Sequence, residues 1–546
     1  MSSLVAQLSE RFAAVTGGVD PELRPATKPQ FGHFQCNVAM RLAKQEGAKP
    51  RDIAQRIVAE IAIDDLCEPL EIAGPGFINI RLKNSVLASA TNDLMADPHH
   101  GVPQDPNPRR TVIDYSSPNV AKQMHVGHLR STIIGDCFSR VLSATGSEVI
   151  RQNHIGDWGT QFGQLVEQIL EEGIDAATLD LAGAEALYKR AAAHFKSDEE
   201  FADRARRRVV ALQAGDEQTR MIWHQLIDVS LAGFNATYDR MNILLTDEDL
   251  AGESTYNQAL VKVVEDLQVM GLAVEDDGAL VVWVGGFDAP MIVQKRDGGF
   301  GYDATDLAAI RHRVDNLGAE RIVYVTDARQ AQHFAMVFAV ARQAGWLPED
   351  VSAEHIGFGM VLGSDGKPFK TRDGSAVTLS SLLDAAEEIA APPIALAAIK
   401  YADLSNGLNK DYVFDAERMV QTTGDTGPYL QYAHARTCAV MREAAAKGLA
   451  LDTAVTVLDE PTEQALALAL SHFGEAVVEV ATTLQPHKLC TYLYELAQHY
   501  SAFYQQCPIL KSEGAVRDSR LGLCRAVRTV LAAGLGMLGI EALERM

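Results

Sequence analysis

From Thr111 the chain runs Thr-Val-Ile-Asp-Tyr, which reads as a strand. It then passes Ser116-Ser117-Pro118-Asn119 and opens a helix with His125-Val126-Gly127-His128-Leu129-Arg130-Ser131-Thr132. Two imidazoles three residues apart lie on one face of a first helical turn, where unpaired backbone N–H groups and the helix dipole favour an anion. Gly127 between them adds no side chain, so a nucleotide can approach the backbone closely. A triphosphate losing pyrophosphate needs donors for its developing charge and little else from a protein. The competing reading is a pair of helix-capping histidines or half of a metal site, but no third ligand of suitable spacing follows, so no metal site is expected.

The alternation of strand and helix recurs at Glu148 to Gln152, Arg321 to Val325, a helix from about Gln332, and His355 to Val361. That pattern predicts an α/β fold with an open parallel sheet, whose ligand sits at the carboxyl ends of the strands. A strongly helical stretch, Gln164 to Leu245, interrupts the two halves. At 546 residues the chain is too long for one core. Helical runs at Val38 to Gln45 and Pro50 to Ile61, then a turn at Gly74-Pro75-Gly76 into a strand, make a small α+β N-terminal domain. Pro98, Pro103, Pro106 and Pro108 mark a linker between Asp97 and Arg110. Beyond about Ala390 the pattern is helical to Met546. The expected domains are 1–105, 106–390 with an insertion at about 164–255, and an all-α 391–546.

Hydrophobic residues at 47% and charged residues at 22% are those of a globular protein. The apolar stretches at Ile394 to Ile399 and Val530 to Ile540 are too short to span a membrane, and Met1 to Thr16 lacks the layout of a signal peptide. No membrane association is expected. Seven scattered cysteines without a CxxC pair fit a reducing cytoplasm. A net charge of −23 argues against an extended nucleic-acid-binding surface, although a large RNA can dock on local basic patches.

The HxGH element after a first strand is similar to the ATP-binding signature of class I aminoacyl-tRNA synthetases. Further segments resemble the arginyl-tRNA synthetase family: Asn153 to Gly163, Gly298 to Ala309, Gly366 to Arg372, Gly427 to Arg436 and Leu538 to Met546. The resemblance implies a Rossmann-like class I catalytic domain with a helical insertion, an N-terminal domain touching the tRNA elbow, and a helical anticodon-binding bundle. It implies ATP with Mg2+, L-arginine and tRNA(Arg) as reactants, transfer to the terminal 2′-hydroxyl, and activation that waits for bound tRNA. A monomer is expected.

Residue by residue, His125, Gly127, His128, Gly156, Asp157, Met360, Val361 and Lys370 are expected at the nucleotide. Lys367, Lys370 and Arg372 lie in Gly366-Lys-Pro-Phe-Lys-Thr-Arg, which departs from the usual KMSK form of the family's mobile phosphate clamp, and which of the three makes the main contact stays open. Val361 stands where a P-loop needs glycine. Tyr302 and Asp306, four apart at a helix start, present a ring and a carboxylate to one cation, and Asp114 ends the first strand at the sheet's ligand edge. A guanidinium, with five fixed donors, suits such planar acceptors. By resemblance Asn119 and Gln330 join these three in the arginine pocket. Such a pocket rejects lysine without an editing domain.

The insertion's Arg204, Arg206, Arg207 and Arg208 read as a solvated face. Tyr429, Tyr432, His434 and Arg436 resemble the family's anticodon-binding cluster, since aromatic and Arg side chains stack splayed bases. Tyr500, Phe503 and Tyr504, at i, i+3, i+4, read as a core stripe. Asp425 stands where the family more often has Asn, and Gly252 to Tyr256 receives no role. Phe31, Phe34 and Asn37 are candidates for the elbow contact. Two other readings stay open: a class I enzyme for another amino acid, and a non-catalytic RNA-binding relative.

Overall fold

Four β-branched, largely apolar segments form the central sheet: Arg110–Asp114, Glu148–Gln152, Arg321–Asp327 and Ser352–Phe358. The computed structural model describes residues 3–26, 28–296, 298–363, 365–367 and 377–546. The four strands are parallel, in the order Ser352–Phe358, Arg321–Asp327, Arg110–Asp114, Glu148–Gln152. Val112, Ile113, Ile322, Val323 and Val325 are buried, as a sheet covered by helices on both faces requires. Strand order switches between Arg110–Asp114 and Arg321–Asp327, so the crevice opens beyond the in-register pair Asp114 and Tyr324.

The helix Val126–Ala144 leaves the first strand through the serine-rich loop and buries one long face, including Leu129, Ile133, Cys137 and Phe138. Gly135 lets it lie flat on the strand's end, since a Cβ there would stand 2.3 Å from Tyr115. The insertion is four helices, Thr160–Glu172, Leu181–Ser197, Glu199–Ala214 and Glu217–Arg240. Arg204 and Arg208 pair with Glu167 at 2.8 and 3.2 Å and Arg206 with Asp203 at 2.6 Å, so three of the arginines of that run are ion-paired within the insertion.

A three-stranded antiparallel sheet, Ala273–Asp276, Ala279–Val282 and Met291–Gln294, precedes the helix Tyr302–Asp315 and was not anticipated from periodicity. Its first hairpin turns through Asp277-Gly278 with φ of 48° and 77°, the conformation that Asp-Gly favours in a two-residue hairpin. The N-terminal sheet is antiparallel, ordered Leu23–Pro25, Phe34–Cys36, Phe77–Ile80, Glu71–Ala73, with Pro50–Glu60 packed on it and Leu4–Val15 and Val38–Glu46 against that helix.

The C-terminal region is a bundle of Pro392–Leu404, Gly427–Ala446, Pro461–Ser471, Phe473–Thr483, His487–Gln506 and Gly514–Met537. Pro461–Thr483 has the length and composition of a membrane span, but it is two helices that bury Leu466, Leu470, Phe473, Val477 and Val480 in the bundle. The stretch 539–544 is stitched to the bundle through its carbonyls. Lys400 Nζ donates to Gly539 at 2.9 Å, Gln431 to Glu541 at 2.9 Å, and Arg442 to Glu544 at 2.9 Å. Burial pushes the Lys400 ammonium down to about 8. All seven cysteines are buried and unpaired.

Candidate active site

The helix mouth is built by its own two imidazoles. His125 is the N-cap, and its Nδ1 accepts the Gly127 backbone N–H at 3.0 Å, while His128 Nδ1 accepts the His125 backbone N–H at 3.1 Å. The rings lie 4.0 Å apart with a 34° tilt. With both Nδ1 atoms accepting, a neutral ring must carry its proton on Nε2. Desolvation, then the neighbouring imidazole, lowers His128 to about 3, and desolvation, then Lys122, lowers His125 as well. Two neutral Nε2–H donors therefore stand at the positive end of a helix dipole. Neither is a reservoir of protons near neutral pH.

The basic loop borders this mouth at its return. Val126 N–H donates to Val377 at 3.0 Å, Leu379 N–H to Met124 at 2.8 Å, and His125 bridges Thr378. At its start Met360 is exposed, with its N–H on Asp411 at 2.6 Å, and Val361 is buried, paired with Tyr412. Lys367 is exposed, and its N–H donates to Asp365 at 3.1 Å. Lys370 and Arg372 lie outside the described residues.

Asn119, exposed, bridges Gly156, whose missing side chain is essential because a Cβ would stand 2.3 Å from Asn119 Oδ1. Asp157, expected at the nucleotide, turns inward instead. Its carboxylate accepts the Ser254 N–H and Oγ at 2.8 and 2.6 Å, fixing the start of helix Glu253–Val269, and burial raises its pKa. Its carbonyl accepts Trp223 Nε1 from the insertion at 2.8 Å.

Of the residues expected around a guanidinium, Tyr302 and Asp306 lie four apart at the start of Tyr302–Asp315, with Tyr302 68% exposed. Gln330 is exposed at the N-cap of Ala331–Gln343 and makes no capping bond. Asp114 is 5% exposed and already holds a guanidinium, that of Arg313, at 2.6 Å, with Ser117 Oγ on its other oxygen at 3.0 Å. Arg313, wholly buried, also donates to Gln152 at 2.6 Å and lies over the Tyr324 ring at 4.8 Å. Both carboxylate oxygens of Asp114 are thus engaged within the protein.

Sequence reading missed three charged neighbours. His333 sits between Asp303 and Asp306, at 3.1 and 2.6 Å. Glu253, beside Asp157 and Asp306, is pushed up to about 7 by burial first and those carboxylates second. Arg313 is the partner of Asp114. Only His333 left a signal, three residues after Gln330 on the same helical run.

In the bundle, Tyr432 (42% exposed), Arg436 and Tyr504 (42% exposed) form a stack, with the guanidinium 4.8 and 5.1 Å from the two rings. Tyr429 instead packs edge-on against Tyr494 at 5.6 Å. His434 is buried, with Nδ1 on the Leu543 carbonyl at 2.9 Å. Tyr500 and Phe503 are core, as expected of that stripe, and Tyr504 is not. Asp425 accepts the Tyr401 hydroxyl at 2.5 Å. In the N-terminal domain Phe34 is 3% exposed and packs edge-on against His472, so it is core, whereas Phe31 and Asn37 are half-buried.

Comparison with known proteins matches three families: "tRNA synthetases class I (R), catalytic domain" over residues 90–392, "DALR anticodon binding domain" over 430–546, and "Arginyl tRNA synthetase N terminal domain" over 2–82. The chain is 65% identical to a Cutibacterium acnes "Arginine--tRNA ligase", covering 100% of both chains. It is 47% identical to one from Thermobifida fusca, covering 99% of this chain and 97% of that one. Among solved structures, arginyl-tRNA synthetases from Plasmodium falciparum (TM-score 0.83, 27% identity) and Thermus thermophilus (0.80, 26%) each match over 100% of both chains.

Proposed function

Because this chain belongs to the arginyl-tRNA synthetase family and is an ATP-dependent arginine–tRNA ligase, we propose the following division of labour among its residues. His125 and His128 hold the triphosphate through their Nε2–H donors, and Gly127 admits it to the backbone. The arginine carboxylate attacks the α-phosphate, pyrophosphate leaves, and the adenylate's carbonyl carbon is captured by the terminal 2′-hydroxyl of tRNA(Arg), releasing AMP. No enzyme-linked intermediate is needed, and the chain contributes positioning and stabilisation of developing charge.

Tyr302 and Asp306 receive the guanidinium, Gln330 and Asp114 line its pocket, and Asn119 takes the α-amino and carboxylate end. Lys367, Lys370 and Arg372 clamp the leaving pyrophosphate, supported by the loop's return beside His125. Mg2+ arrives on the nucleotide, held by the substrate's phosphates rather than by a protein cage. The Tyr432–Arg436–Tyr504 stack supports base stacking by the anticodon loop, and Phe31 and Asn37 meet the tRNA elbow.

The three domains are taken as 1–105, 106–390 and 391–546. One chain carries the nucleotide mouth, the pocket and the stacking platform, which supports a monomer, and seven unpaired cysteines support the cytoplasm. The observation that supports the site assignment is the pair of imidazoles at the helix mouth, each accepting a backbone N–H on Nδ1 and so left with Nε2 as its donor. Aminoacylation of tRNA(Arg) assayed against each of the twenty amino acids tests it: charging with arginine alone is expected, and charging with another overturns it.

A further inference from the structure

The start of helix Tyr302–Asp315 brings two carboxylates three residues apart, Asp303 and Asp306, onto one side of the helix. A substrate guanidinium carries one positive charge, so a bare pair over-matches it. The chain supplies the balance. His333, from helix Ala331–Gln343, directs Nδ1 at Asp303 Oδ1 (3.1 Å) and Nε2 at Asp306 Oδ2 (2.6 Å), with the three side chains 14–19% exposed. Each ring nitrogen faces a carboxylate oxygen, an arrangement that only the doubly protonated ring satisfies.

The remaining neighbours fix that geometry. Asp303 Oδ2 accepts the Ile292 backbone N–H at 3.0 Å, so Asp303 is held on both oxygens. Among the described residues Asp306 Oδ1 has no donor. The Tyr302 ring meets the imidazole edge-on at 5.0 Å and Phe334 does so at 5.1 Å. The charged or titratable groups around the clasp are Tyr302, Asp303 and Asp306 from one helix, Glu253 and Tyr256 from another, and Tyr324 and His355 from the sheet. Burial opposes a charge on His333, but the two carboxylates outweigh it and raise the ring to about 9, while burial first and the positive ring second lower His355.

We propose that His333 is a positioning residue for amino-acid selection: its imidazolium, clasped by Asp303 and Asp306, orients Asp306 so that Oδ1 faces the substrate guanidinium and leaves the clasp itself with one net negative charge. This rests on the reading that Asp306 receives the substrate side chain. Without the imidazolium the pocket holds an extra negative charge and a freely rotating carboxylate, which attracts cations with less regard for their shape.

The test compares wild type, His333→Gln and Asp306→Asn in aminoacylation and tRNA-dependent pyrophosphate exchange. His333→Gln is expected to raise the arginine KM by about tenfold or more, the loss of an oriented charged contact, with the ATP KM unchanged and kcat nearly retained. Its preference for arginine over lysine should fall. Asp306→Asn should lose arginine use. An unchanged arginine KM in His333→Gln, or arginine and ATP KM values that rise together, overturns the proposal. A measurement on the wild type needs no variant: 15N NMR of labelled histidines at pH 8 should show a ring with protons on both nitrogens whose signal shifts on adding arginine. Absence of such a ring overturns the proposal too. Wild-type charging with an amino acid other than arginine would instead sink the functional reading itself.

Discussion

Arg130 and Asp403 lie 3.1 Å apart with side chains 1% and 0% exposed, joining the helix that carries the two imidazoles to the first helix of the C-terminal bundle. Arg130 also donates to the Lys410 carbonyl at 3.0 Å and lies over the Tyr412 ring at 5.4 Å. Burial raises Asp403, and Arg130 opposes that shift. The catalytic helix is thereby tied to the bundle by a pair that cannot be broken cheaply.

Arg130→Met leaves a buried carboxylate unpaired and should destabilise the fold by about 3–5 kcal/mol. Arg130→Met with Asp403→Leu should recover much of that loss in denaturant unfolding. A double variant as unstable as the single one would show that the pair's charge is not what matters.

His128→Ala should lower kcat for aminoacylation by about 100- to 1,000-fold, the usual loss for one preorganised donor to developing charge. Binding of tRNA should be nearly unchanged in a filter assay, and strong residual charging would refute the phosphate role.

Gly156→Ala places a methyl 2.3 Å from Asn119 Oδ1. Asn119 must move, and kcat/KM for arginine should drop by up to about 100-fold, as for an ångström-scale misplacement. Wild-type kinetics would remove Asn119 from the pocket.

Tyr432→Ala should raise the KM for tRNA by about 5- to 150-fold, matching roughly 1–3 kcal/mol per stacked base. The KM values for arginine and ATP should stay put, and equal tRNA kinetics would show that the stack does not meet RNA.

His333 carries its proton up to about pH 9 in the fold and to 6.5 when unperturbed. The folded state therefore binds the extra proton between those values. Its stabilisation is complete below pH 6.5 and is lost as pH rises through 9. The difference in thermal midpoint between wild type and His333→Asn should be widest at pH 6 and narrow by pH 9.5. A pH-independent gap would mean that the ring is not charged.

Local signals were legible and long-range ones were not. The helix mouth was readable because strand, loop and HVGH follow each other within twenty-odd residues, and the parallel strands because they alternate with helices. Arg313 and Asp114 are 199 residues apart, and no spacing announces that the first pocket acid already has a guanidinium. The Asp277-Gly278 hairpin did announce itself, but its four-residue strands offer too short a period to count. His434 was grouped with Tyr432 and Arg436, although a residue two away from each lies on the opposite side of a helix from a pair four apart. Asp157 was read from its motif, and its capture by Ser254 depends on a helix start that the motif does not contain.

The carbonyls of residues 539–544 close over Lys400, Gln431 and Arg442, within a bundle that Arg130 and Asp403 fasten to the catalytic helix. During synthesis on the ribosome these residues emerge after the catalytic sheet, so a nascent chain stopped short of them still has a charged Lys400 with no acceptor from Gly539. A chain cut short of residue 539 should thus unfold more readily and be digested faster by proteases than the full chain.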